Sequence, residues 1–299
     1  MMRIGIDLGN TEIEVLALAD DGKPLMRERV PTAGARYEEL LDTVKSLVAL
    51  AEHQNGVRGT VGVGLPGAIS AKTGLLKNSN SAYLIGTNFV ADISQKLGRE
   101  VRIGNDANCF TLAEAADGAA AGAHVAFGVI LDTGVGAGVV IGQTILEGAN
   151  AIAGELGHNP LPWSSDEESA RVRCYCGKFG CIEQFLSIPG LQRAYKLHSG
   201  LFVSIDEIAR SFAARDDKAV QCMAEYESRL ARSLAAVINL IDPDVIVIGG
   251  GLSKVPLSYS SLHEAVARYA FTDRLDTKIV AATHGDSATA RGAAMLWPR

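Results

Sequence analysis

The stretch from Gly154 to Glu183 constrains this chain more than any other. It opens Gly154-Glu155-Leu156-Gly157-His158-Asn159-Pro160 and closes Cys174-Tyr175-Cys176-Gly177-Lys178-Phe179-Gly180-Cys181-Ile182-Glu183. Three of the chain's five cysteines fall in the closing run. Cys174 and Cys176 are too close in sequence for a low-strain disulfide, while Gly177 and Gly180 let the backbone curl so that several thiolates face one point. Three thiolates and one imidazole form a common tetrahedral set for structural zinc. His158, Cys174, Cys176 and Cys181 are therefore the candidate zinc ligands. The alternative is a redox pair or three unrelated buried cysteines. A zinc site implies a loop held rigid, and Glu155 and Glu183 stand at its two ends.

With 299 residues the chain has room for about two domains. Its 47% of hydrophobic residues excludes a disordered chain. Gly, Asp or Thr interrupts each apolar run before it reaches membrane-spanning length. Met1–Leu8 reads as a strand entering a turn rather than as a signal peptide. Clustered cysteines without an export signal point to a reducing cytoplasm and metal binding. A net charge of −6 with no Lys/Arg stripe argues against nucleic-acid binding.

The pattern along the chain predicts a mixed α/β protein. Met2–Leu8, Ile13–Leu18 and Pro24–Val30 read as three strands joined by tight turns, an antiparallel meander. Tyr37, Leu40, Leu41, Val44, Leu47, Val48 and Ala51 repeat with helical spacing over 36–54. Strand 60–67, a helix near 89–98, strand 101–104 and an alanine-rich helix from about 107 to 120 follow. A second strand–turn–strand opens at Val125–Leu131, turns through Asp132–Gly138 and returns as Val139–Ile141. Beyond residue 189 the pattern is mostly helical. Helix 217–241 carries Val220, Met223, Leu230, Leu234, Val237, Ile238 and Ile241 on one face. Strand 245–248, helix 257–270, strand 278–282 and helix 288–297 complete the chain. Two strand–turn–strand openings, at Asp7 and Asp132, predict two related α/β halves with a cleft between them, divided at Gly118–Gly122: residues 1–118 and 119–287.

Chemistry collects where apolar strands end. Asp7-Leu8-Gly9-Asn10-Thr11 sets a carboxylate before a turn whose amides and hydroxyl can meet an anion; Asp7 could hold a divalent ion through water. The turn Thr133-Gly134-Val135-Gly136-Ala137-Gly138 repeats the device, and Gly249-Gly250-Gly251 offers a third place where only backbone fits. An ordinary turn explains any one of these. Asp106 follows strand 101–104 and opens a helix; a helix N-cap is the plain reading, and a base that accepts a hydroxyl proton in phosphoryl transfer is the functional one. Glu155, His158 and Glu183 can hydrogen-bond sugar hydroxyls, although a zinc-bound imidazole keeps only one nitrogen for a second partner.

Together these motifs resemble the bacterial ROK (repressor, open reading frame, kinase) sugar kinases over essentially the whole chain. The resemblance is carried by Asp7-Leu8-Gly9-x-Thr11, Gly64-Leu65-Pro66-Gly67, Asn105-Asp106-Ala107-Asn108, Thr133–Gly138, Gly154-Glu155-x-Gly157-His158, the cysteine motif and Gly249–Gly251. It implies the two-domain actin/hexokinase/Hsp70-like (ribonuclease H-like) fold, with the last helix, 288–299, packed back on the N-terminal domain. It implies Mg-ATP-dependent phosphorylation of a hexose at O6 with Asp106 as general base. Gly67, Asn80, Asn105, Asp106, Glu155, His158 and Glu183 would line the sugar site. Asp7, Gly9, Asn10, Thr11, Asp132, Thr133, Gly134 and Gly136 would carry ATP phosphates and Mg²⁺, and Gly249, Gly250 and Gly251 would border adenosine. Zinc in the 158–183 loop would position the sugar-gripping wall, and members are commonly homodimers. Asn159-Pro160-Leu161-Pro162-Trp163 and the Leu296-Trp297-Pro298 ending look most like fructokinases of the manno(fructo)kinase type, so fructose is the expected substrate, with mannose or glucose beside it. The competing expectation is a catalytically weak sugar-binding regulator.

Three residues depart from the family pattern. Asn10 replaces a Gly, in a turn where tolerance of left-handed backbone would help. Glu12 places an anion where the family has a Lys near the phosphates, which works against nucleotide binding. Asp132 replaces a Gly, and its carboxylate would either assist Mg²⁺ or repel ATP.

Overall fold

A computed structural model describes residues 1–32, 36–255 and 258–298. Leu257, where the sequence starts a helix, and Arg299, at the expected end of the last one, lie outside the described residues. The chain divides into two compact units. One comprises Met1–Gly122, Gly138–Ala153 and Thr283–Arg299; the other comprises Ala123–Ala137 and Gly154–Ala282.

The first sheet grows from the N-terminal meander. β1 (Arg3–Leu8), β2 (Glu12–Leu18) and β3 (Pro24–Pro31) pair antiparallel. Helix α1 (Tyr37–Asn55) then crosses over, so that β4 (Thr60–Leu65) joins β1 in parallel, as a crossover connection requires. A small hairpin of β5 (Ala68–Ile69) and β6 (Leu76–Lys77) precedes α2 (Phe89–Leu97), and β7 (Val101–Asn105) pairs parallel with β4. The order is β3-β2-β1-β4-β7. β4 runs almost entirely apolar, as does β1 between Arg3 and Asp7, as strands covered on both faces do. Leu40, Leu41, Val44, Leu47, Val48 and Ala51 of α1 bury against Ile4, Ile6, Val61 and Val63.

Helix α3 (Asp106–Asp117) follows β7. The second sheet then repeats the first in outline. β8 (Val125–Leu131), β9 (Val135–Ile141) and β10 (Thr144–Ile145) come in succession. Helices α4 (Asp166–Arg171), α5 (Glu183–Leu186), α6 (Ile188–Ser199), α7 (Ile205–Ala213) and α8 (Asp217–Ile241) precede β11 (Val245–Gly249), and α9 (Tyr259–Ala267) precedes β12 (Lys278–Ala281). β11 lies parallel to both β8 and β12, and the order is β10-β9-β8-β11-β12. Third, second, first, fourth, fifth is the same strand order as in the first sheet. The last helix, α10 (Ala288–Met295), packs on α3, β1 and β4 within the first unit.

Two sequence readings change. The turn after Leu131 is only Asp132–Gly134, closed by Asp132 N donating to Gly134 O at 3.0 Å; β9 starts at Val135, so Gly136 and Gly138 lie in a strand. In α8, Val220 is 41% exposed. Ala219, Cys222 and Tyr226 take the core positions of the first turns, and Met223, Leu230, Leu234, Val237 and Ile238 are buried as the period predicts.

Candidate active site

In the first unit, Asp7, Glu14 and Arg29 form a row across three strands: Asp7 lies opposite Glu14, and Glu14 opposite Arg29. Glu14 is buried and holds Arg27 (3.1 Å) and Arg29. Burial, with the Asp106 and Glu14 charges beside it, pushes the Asp7 carboxyl up to about 8 against the opposing pull of Arg29. A carboxyl held protonated among other acids is one that a divalent cation would stabilise in its ionised form. Arg29 also answers the expectation about Glu12. Its guanidinium lies 3.8 Å from the Glu12 carboxylate, so that anion has a cation beside it.

The turn between β1 and β2 is not left-handed. Neither Gly9 nor Asn10 has a positive φ, so the Asn needs no left-handed backbone there. Its side chain is used instead: Ser81 Oγ donates to Asn10 Oδ1 at 2.5 Å. Thr32 grips the same turn, its hydroxyl donating to Gly9 O at 2.8 Å and its N–H to Thr11 O at 2.8 Å. Thr11 and Asn80 are exposed.

At the end of β7 the cap falls to Asn105, whose Oδ1 accepts from Ala107 N (3.0 Å) and Asn108 N (3.2 Å). Asp106 is thus the first helical residue rather than the cap, where the helix dipole favours its negative charge. Its Oδ1 accepts from Ala107 N at 2.8 Å. Asn105 Nδ2 also donates to Gly67 O at 3.1 Å, tying the β4 turn to the start of α3. Gly67 has φ +100°, and a Cβ there would come within 2.6 Å of Lys77 O.

In the second unit, Asp132 is a clamp. Its Oδ1 accepts from Thr133 N and its Oδ2 from Gly251 N, each at 2.7 Å. The carboxylate thus joins the Asp132–Gly134 turn to the Gly249–Gly251 loop. Gly250 is required there, with φ +88° and a Cβ position 2.4 Å from Leu131 O. Glu183 opens α5 and is buried; its Oε2 accepts from Val135 N at 3.1 Å. The far end of the cysteine segment is therefore fastened to the start of β9.

The cysteine segment folds as a hairpin, with Arg173 bridging Phe179 and Gly177 and Gly180 at φ +89° and +69°. His158 ends a short 3₁₀ turn that begins after Glu155. The ligand atoms of His158, Cys174, Cys176 and Cys181 all lie within 4.8 Å of one another. Cys174 Sγ is 3.6 Å from His158 Nδ1, and Cys176 Sγ is 3.6 Å from Cys181 Sγ. Bond lengths of about 2.0–2.3 Å in a tetrahedron put ligand atoms roughly 3.4–3.8 Å apart, so the donor set fits zinc. Burial pushes the Cys181 thiol up to about 12; a bound cation would draw that proton off. With Nδ1 turned to the cluster, His158 Nε2 meets Tyr175 Oη at 2.9 Å. Tyr175, Ser81 and Arg29 are members of these sites that the motif reading missed. Tyr175 had a signal, since it stands between two candidate ligands.

The chain matches the ROK family model over residues 3–299. It is 38% identical to the N-acetyl-D-glucosamine kinase of Photobacterium profundum, over 99% of each chain. To the enzyme of that name from Pectobacterium atrosepticum it is 37% identical, over 99% of this chain and 98% of that one. The solved ROK hexokinase of Thermus thermophilus is 30% identical with a TM-score of 0.87, covering 99% of this chain and 97% of that one. The ROK family glucokinase of Streptomyces griseus, solved with glucose and AMPPNP, is 26% identical with a TM-score of 0.81 over 99% of each chain. The chain belongs to the ROK family. It is a sugar kinase of that family, with its mixed α/β, hexokinase-like fold. These relatives do not support the expectation of a fructokinase, since the curated ones are N-acetyl-D-glucosamine kinases. No helix among the described residues is long and apolar enough to cross a membrane.

Proposed function

We propose that the chain phosphorylates N-acetyl-D-glucosamine at O6, with ATP as donor. The observation that carries this reading is the full-length identity of 36–38% to N-acetyl-D-glucosamine kinases. Asp106 accepts the proton of the sugar hydroxyl, and the capping of α3 by Asn105 supports that role, since the helix N-cap is not Asp106. Gly67, Asn80, Asn105, Glu155, His158 and Glu183 orient the sugar. Thr133, Gly134 and the Gly249–Gly251 loop, held together by Asp132, receive the nucleotide through main-chain amides, as do Gly9, Asn10 and Thr11. Bound Mg²⁺ supplies charge neutralisation at the phosphates, and Asp7 is the carboxylate suited to hold it, directly or through water. Zinc on His158, Cys174, Cys176 and Cys181 keeps Glu155 and Glu183 in place. Catalysis of this kind is mostly positioning and electrostatics, so one base and a well-held triphosphate suffice. We assign the enzyme to the cytoplasm as a homodimer.

Coupled ADP release across N-acetylglucosamine, N-acetylmannosamine, glucose, mannose and fructose tests the assignment. The expected result is the highest kcat/KM with N-acetylglucosamine. Preference for fructose would refute the substrate, and sugar-independent or absent turnover would refute the kinase.

A further inference from the structure

Within the first unit, a pocket of about 80 Å³ opens beside Gly67 and Asn105. Its walls are largely hydrocarbon: Leu65 of β4, Ile69 of β5, Ile103 of β7 and Ile145 of β10. Asn108 lines it from α3, and the exposed Glu147 lines it as well. One water takes roughly 10–15 Å³ of such space, so the pocket has room for a group several non-hydrogen atoms in size.

One atom in its lining asks for a donor. Asn108 Oδ1 is buried with no hydrogen-bond partner among the described residues. Buried polar atoms are nearly always paired in native proteins, and an orphan points to a missing ligand or water. The main chain of Asn108 is held in place, its N–H donating to Asn105 Oδ1 at 3.2 Å. Asn105 in turn binds Gly67 O at 3.1 Å, so the pocket shares its rim with the turn assigned to the sugar. Apolar walls around one buried unmet acceptor suit a secondary amide better than a hydroxyl. The amide N–H satisfies the acceptor, and its methyl group covers the isoleucines.

We propose that this pocket is the subsite for the 2-acetamido group. Its methyl packs against Ile69, Ile103 and Ile145, and its N–H donates to Asn108 Oδ1. The inference rests on the reading of the chain as an N-acetylhexosamine kinase and adds the residues that select the substrate. Glucose, lacking the group, leaves the pocket filled by water and the acceptor without its amide donor.

Two variants test the assignment in the full-length, zinc-replete enzyme. Ile145→Phe narrows the pocket from the partly exposed edge strand β10, and Asn108→Leu removes the acceptor at similar volume. The readout is the ratio of kcat/KM for N-acetylglucosamine to that for glucose. Each variant should lower that ratio at least about tenfold, mainly through KM for the acetylated sugar, as expected when a contact made only by the acetyl group is removed. An unchanged ratio, or a parallel fall for both sugars, overturns the proposal. Thermal melting checks folding, and if Asn108→Leu does not fold, Ile145→Phe decides alone. Wild-type enzyme that does not turn over N-acetylglucosamine overturns the substrate reading and the subsite with it. Wild-type turnover combined with an unmoved ratio overturns the subsite alone.

Discussion

Replacing Asp132 separates three roles for a carboxylate beside the nucleotide. The residue accepts two main-chain hydrogen bonds of 2.7 Å, from Thr133 and from Gly251, which lies 119 positions away. Hydrogen bonds to a charged group contribute about 1.5–3 kcal/mol each when buried. Asp132 is only partly buried, so about 1–1.5 kcal/mol apiece is the appropriate figure. Asp132→Ala removes both and releases the two loops from each other, a loss of about 2–3 kcal/mol, or roughly 30- to 150-fold in KM for ATP. Asp132→Asn keeps one acceptor and turns an NH₂ toward the other donor, so about 5- to 10-fold is expected. The assay is initial rate against ATP at saturating sugar and Mg²⁺, with kcat changing less than KM. A carboxylate that repels ATP gives the opposite sign, a lower KM in both variants. A carboxylate that holds Mg²⁺ shifts the Mg²⁺ activation curve and leaves KM near normal once the metal saturates. Either result, or no change, refutes the clamp.

Other perturbations bear on the remaining parts of the site. Asp106→Asn should cut kcat by about 10²- to 10⁴-fold, the range for loss of a general base, while sugar binding by calorimetry stays near wild type; near-normal turnover removes Asp106 from the mechanism. The Asp7 carboxyl has its pKa raised from 3.8 to about 8 in the fold. Such an acid leaves stability intact below about pH 4, where it is protonated folded or unfolded, and penalises folding increasingly as pH rises toward 8. Asp7→Asn should therefore raise Tm more near pH 8 than near pH 5, while weakening activation by Mg²⁺; equal Tm shifts at both values would contradict the burial argument. Elemental analysis should find one zinc per chain, lost in Cys174→Ser. Chelated enzyme should show a raised KM for sugar before any cooperative unfolding, and an unchanged KM would sever the metal loop from the sugar.

Local features were legible in the sequence where they depend on neighbours along the chain. The β1–β2–β3 meander, the α1 core face and the clustering of His158 with Cys174, Cys176 and Cys181 all follow from short spacings. Long-range pairings were not legible. Asp132 reads as an anion in a phosphate turn, and only the approach of Gly251 turns it into a clamp. Glu183 reads as a sugar ligand, and that its Oε2 also accepts from Val135 N, 48 residues away, could not be read from the sequence. Asn105 and Asp106 both favour helix N-caps, and sequence alone could not divide the work between them; the bonds from Ala107 N and Asn108 N to Asn105 Oδ1 do. Val220 fits the helical period of α8, yet the interior of the first turns is taken by the smaller Ala219 and Cys222. The relatives do not support the fructose expectation, and the segments that suggested it, Asn159–Trp163 and Leu296–Pro298, do not line the pocket beside Gly67.

Product identity tests the account most directly. With ATP, Mg²⁺ and N-acetylglucosamine, phosphorus–proton NMR should find one new phosphate ester coupled to the C6 protons, formed one-for-one with ADP and absent from the Asp106→Asn reaction. An ester at another hydroxyl, or ADP formed without any sugar phosphate, would contradict it.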